Sequence, residues 1–123
     1  MDDKSKQEIE SAVSEAMTKF LKEHMGEPAE PAAVQVAGNA LIVRFKGVLP
    51  PAERLLVKNQ DGMKLIKELK VKLIERAKPL LEALIKNLTK AEVVDIHSSF
   101  SPETGERIEI FTLDKDLENI SRS

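Results

Sequence analysis

Between Asp61 and Leu88 the apolar side chains recur every three or four residues, the period of an α-helix. At 100° per residue, Leu65, Ile66, Leu69, Leu73, Ala77, Leu80, Leu84 and Leu88 gather on one side. Ile74, Leu81 and Ile85 widen that side to roughly 200°, about twice the stripe of an ordinary surface helix. Lys64, Glu68, Glu75, Lys78, Glu82 and Lys86 take the other side, with Val71 an isolated valine among them. Such a helix would run roughly 42 Å, whereas a domain of this mass is only about 27–35 Å across. Pro79 withdraws the amide that would bond residue 75, which predicts a kink or break near Ala77–Lys78. So wide an apolar face also predicts that a second subunit covers part of it.

Before this helix the pattern changes twice. Ser5 with Glu8 is a capping box, and Ile9, Val13, Met17, Phe20 and Leu21 follow at helical spacing to about Met25, where Gly26 ends the helix. After the Pro-punctuated GEPAEPA loop, Ala33–Ala37, Gly38-Asn39 and Ala40–Lys46 read as a hairpin, Gly-Asn supplying the positive φ of a two-residue turn. That register pairs Val36 with Leu41 and Val34 with Val43. Pro50-Pro51 opens a short helix, Pro51–Lys58, and Asp61 can cap the long one.

Beyond the long helix, Glu92–Phe100 and Arg107–Leu113 read as strands joined by the SPETGE turn. Val94, Ile96 and Phe100 are expected on one face, and Val93, Asp95, His97 and Ser99 on the other. The order α-β-β-α-β-β predicts an α+β, two-layer fold: a four-stranded sheet of two hairpins packed against the long helix and the N-terminal helix. Residues 1–123 form a single domain, with 1–4 and 118–123 frayed apart from a last helical turn in the charged tail. Ile42, Val93, Ile108 and Ile110 make the second sheet face too apolar to stay wet, which again predicts a second subunit.

Composition narrows the function classes. The chain has 19 Lys and Arg against 21 Asp and Glu, for a net charge of −2, with four Phe, no Tyr, no Trp and no Cys. The absence of cysteine excludes disulfides and thiolate chemistry. Base-stacking platforms are nearly lacking, and Glu68 and Glu75 interrupt the basic stripe of the long helix, so nucleic acid is not an expected partner. No apolar run approaches the length of a membrane span, and the N-terminus MDDKSKQEIE has no apolar leader. The expectation is a cytoplasmic protein that does not insert into membranes.

Two local arrangements are candidate chemistry. Asp95-x-His97-x-Ser99 shares a strand face, but two ligands are too few for a metal, and the i, i+2 spacing of about 6–7 Å breaks a serine relay. Arg44 and Lys46 share another strand face and could bind an anion with the Gly47 amide. If the hairpins converge, Arg44, Lys46, His97 and Arg107 form one small-anion or metabolite site. No catalytic set, metal site or cofactor motif emerges.

The passages VRFKGVLPPAERLLVKNQDGMKLIKELK and VVDIHSSFSPETGERIEIFTLDKDLE resemble the YbcI-like family of small bacterial proteins. The resemblance spans nearly the whole chain and implies a compact single-domain protein, with some members encoded near inorganic-carbon uptake proteins. It transfers no catalytic residue. Phe100 and Pro102 depart from the aliphatic and non-proline residues expected there. Taken together, the sequence predicts a non-enzymatic accessory or regulatory protein that acts through homodimerisation and a protein partner. The small-anion sensor is the alternative.

Overall fold

The computed structural model describes residues 5–27 and 30–120. The elements are α1 (Lys6–Phe20), a π-helical turn (Leu21–Met25), β1 (Ala33–Ala37), β2 (Ala40–Phe45), α2 (Pro51–Leu56), α3 (Gln60–Thr89), β3 (Val93–Ser101), β4 (Glu106–Leu113) and α4 (Leu117–Ile120). The fold is α+β, as the pattern predicts. The two hairpins join through β2 and β4, giving one antiparallel sheet in the order β1-β2-β4-β3. One face is buried under helices: Val36, Leu41, Val43, Phe45, Ile96 and Phe111 meet Ile9, Val13, Met17, Ile66, Leu81 and Ile85 in a continuous core. Removing this surface from water is the main drive for folding, at about 25 cal/mol per Å² of apolar area.

Local sequence accounts for most boundaries. Ser5 Oγ accepts from the Glu8 amide at 3.1 Å while Glu8 Oε1 accepts from the Ser5 amide at 2.9 Å, completing the capping box. Gly38 takes φ +61° in the hairpin turn, and Val36–Leu41 and Val34–Val43 pair in the predicted register. The N-cap of α3 is Asn59, not Asp61: its Oδ1 accepts from the Gly62 amide at 2.8 Å. Of the frayed ends predicted at 1–4 and 118–123, residues 1–4 and 121–123 lie outside the described residues. Leu117–Ile120 is helical instead, and Glu118 Oε2 accepts from the Gly38 amide at 2.6 Å, tying the tail to the first hairpin.

Three further departures have physical causes. The α3 helix runs unbroken through Pro79, spanning roughly 45 Å. Pro79 and Glu75 both lie on the exposed side, where water can take the carbonyl that the proline leaves without a donor. In β3 the register slips between Val93 and Asp95. This bulge shifts the alternation by one residue, so Val93 packs on the core and Val94 is 61% exposed, the reverse of the expected pair. Finally, the last turn of the first helix is π-helical and closes on Gly26 at φ +63°, which turns the chain inward at Glu27.

The outer edge of β1 is tied at Ala32 and Val36 to one face of α1. Glu10 Oε2 accepts from the Val36 amide at 2.8 Å, Thr18 Oγ1 accepts from the Ala32 amide at 3.0 Å, and Ser14 Oγ donates to the Ala32 carbonyl. Three side chains at i, i+4 and i+8 thus supply three of the hydrogen bonds that another strand would otherwise offer.

Candidate functional site

Because Phe111 and Leu113 face the helices, period-two alternation carries Arg107 and Glu109 into the core as well and turns Ile108 and Ile110 outward. Lys70 lies on the line of α3 that also holds Ile66, Ile74, Ala77 and Leu81, and is buried with them. Glu27 arrives from the π-helical turn. The result is an ionic junction sealed from solvent between loop, helices and sheet.

Its geometry is tightly linked. Lys70 Nζ lies 2.7 Å from Glu27 Oε2 and 2.8 Å from Glu53 Oε1 on α2. Arg107 Nη2 donates to Glu27 Oε2 at 3.0 Å, and Nη1 donates to Glu109 Oε2 at 3.2 Å. Ser98 Oγ donates to the other Glu109 oxygen. Both cations sit over the Phe100 ring, with Lys70 Nζ 5.9 Å and Arg107 Cζ 5.7 Å from its centroid, a geometry that adds cation–π attraction in a desolvated place. Satisfaction is incomplete among the described residues, where Glu27 Oε1 and Arg107 Nε are buried without a hydrogen-bond partner. Glu53 Oε1 also fails hydrogen-bond geometry despite its closeness to Lys70, so that contact is a charge pair rather than an aligned bond.

Burial pushes the Glu109 carboxyl above its ordinary value of 4.5, and the hydrogen bond from Ser98 and the charge of Arg107 only partly oppose this. Glu27 faces Glu109 across Arg107 and adds to the rise. A carboxyl whose folded pKa is raised binds more protons in the folded state. Folding stability therefore falls as pH climbs from the ordinary carboxylate range through the raised value. The expected result for Glu109→Gln is loss of this acid-side slope, measured by urea unfolding at a series of pH values. An unchanged slope would show that Glu109 titrates as it does in the unfolded chain.

The four residues expected to form an anion site do not share one place. Arg107 is in the junction, on the helix-covered face. Arg44 is on the outer face, exposed and paired with Glu106 at 3.0 Å. Lys46 shares a shallow recess with Arg44, Glu30, Pro31 and Ala33. His97 is also on the outer face, two strands from Arg44 and two residues along the ladder, roughly 12 Å away by strand spacing. Its Nε2 lies 2.8 Å from Asp95 Oδ2, so these two exposed side chains do meet despite the i, i+2 estimate. Lys70, Glu27, Glu53 and Glu109 were not singled out from the sequence. One signal was available: at 100° per residue Lys70 falls inside the apolar arc of α3.

Above the junction lies the second notable surface. Lys70 fixes α2 through Glu53, and Leu56 of α2 crosses directly over Gly62 of α3. The two helices leave Leu55, Leu56, Leu65, Leu69 and Leu80 41–66% exposed. The buried stripe of α3 is thus centred on Ile66, Ile74 and Leu81, and the rest of its over-wide apolar side is a leucine ridge open to solvent. Scattered single leucines are ordinary on a surface; several along one helix form an apolar patch of another order.

A helix-backed antiparallel sheet with a buried ionic junction and an open leucine ridge defines a small α+β module. Comparison with known proteins carries the assignment further. Residues 5–115 match the profile of the family described as Na+-translocating membrane potential-generating system (MpsC), and the chain belongs to that family. It is also 34% identical over 115 residues to the uncharacterized protein YbcI of Bacillus subtilis (strain 168), a match covering 94% of this chain and 93% of that protein. This agrees with the YbcI-like resemblance of the sequence. No solved structure matches.

Proposed function

We propose that this chain is a cytoplasmic accessory or regulatory protein, not an enzyme, that acts through contact with other protein chains. The family description supports a place beside a Na+-translocating, membrane-potential-generating assembly. Among the described residues no helix is long and apolar enough to cross a membrane. The observation that carries the reading is the leucine ridge of α2 and α3.

Homodimerisation is the second part of the proposal. Its support is the outer sheet face, where Ile42, Ile108 and Ile110 are half-buried side by side across β2 and β4. Light scattering on the purified chain at micromolar concentration is expected to give twice the chain mass, and Ile110→Lys to return it to the monomer. A strict monomer throughout that range would remove the dimer from the proposal and leave only the partner contact.

A further inference from the structure

We propose that the leucine ridge of α3 is a seam for an acidic amphipathic helix of a partner protein, not for a second copy of this chain. The inference rests on the contact reading above and names the partner chemistry. Leu69, Leu73, Arg76, Leu80, Ala83 and Asn87 follow one another at intervals of 4, 3, 4, 3 and 4 residues. That is the alternating spacing of a two-helix seam, in which every position faces the partner. Leu73 is half-buried and the other five are exposed. With Leu65 the seam covers about 33 Å of helix, and α2 closes its N-terminal end over Gly62.

The charges select the occupant. Arg76 occupies a seam position, and Lys72 flanks it on the solvent side at the next turn. Glu68, Glu75 and Glu82 lie 80–120° farther round the helix than Arg76 at 100° per residue, outside the seam. Lys86 stands in line with Glu68 about five turns further along, also outside the seam, and is already paired with Glu92. Two copies packed through this seam would set Lys72 and Arg76 against their own kind. A helix with leucines at its seam positions and glutamates beside them would neutralise both, and a charged seam residue is the device that fixes partner and register in such pairs.

The test uses the full chain and two designed helical peptides of about 18 residues, both with leucine at the seam positions. One carries glutamate and the other lysine at the flanking positions, and binding is followed by fluorescence anisotropy. The glutamate peptide is expected to bind at least about tenfold more tightly, a difference of about 1.4 kcal/mol. Leu69→Asp with Leu80→Asp should abolish binding with the helical circular dichroism retained. Lys72→Glu with Arg76→Glu should invert the preference. Equal binding of both peptides, or of neither, overturns the acidic-helix proposal. Self-association that disappears in the Leu69→Asp, Leu80→Asp variant also overturns it, in favour of a second copy, while the contact reading stands. Binding to phosphatidylglycerol vesicles through Lys72 and Arg76, without either peptide, overturns both.

Discussion

Replacing Arg107 by alanine is expected to remove about 3–5 kcal/mol of folding stability, the cost of leaving buried charges without their partner. The side chain has essentially no solvent contact and bridges Glu27 and Glu109. Small domains are stable by only about 5–15 kcal/mol, so this one change removes about a fifth or more of it. A second variant separates the value of the network from the cost of breaking it. Converting Glu27, Lys70, Arg107 and Glu109 together to apolar residues of similar size leaves no buried charge behind except Glu53, which keeps a route to solvent. That quadruple variant is expected to be more stable than Arg107→Ala alone, because buried ion pairs rarely beat well-packed apolar groups. Urea unfolding of the three proteins gives the comparison. A quadruple variant less stable than the single one would show that the junction itself contributes net stability.

The second large effect is expected from the smallest change. In Gly62→Ala, helix propensity favours alanine by about 1 kcal/mol. The new Cβ, however, would stand 1.5 Å from the Leu56 carbonyl oxygen and 2.5 Å from its carbon. Those are backbone atoms and cannot rotate aside, so α2 must lift from α3. The strain should exceed the propensity gain, about 3 kcal/mol or more for so close an overlap. A lower unfolding temperature together with loss of glutamate-peptide binding is the expected outcome. A more stable Gly62→Ala protein would mean that α2 is not held against α3 in solution.

The elements that could be read from the sequence were those where local chemistry and hydrophobic period agree. The Ser5–Glu8 box, the Gly38-Asn39 hairpin with its register, and α3 all had two independent signals each. The bulge in β3 had none, since VVDIH contains no glycine or proline, and only pairing with β4 reveals the extra residue. The junction was hidden for a related reason. Alternation put Ile108 and Ile110 outside, and the same alternation required Arg107 and Glu109 to be inside, but charged residues are presumed to be exposed. What overrides that presumption is a set of countercharges from Glu27 and Lys70, at sequence distances of 80 and 37 residues from Arg107. No window along the chain could bring them together.

The tied edge of β1 has a bearing on how the protein behaves when crowded. Fibril growth needs a strand edge that accepts the next molecule and then presents an equivalent edge of its own. On one side of this sheet Glu10, Ser14 and Thr18 already occupy the Val36 amide and both backbone groups of Ala32, which an incoming strand would need. On the other, the bulge at Val94 puts β3 out of step with a straight template. Rising concentration should therefore yield assemblies of fixed size, joined through faces and helices, and not filaments seeded from the sheet.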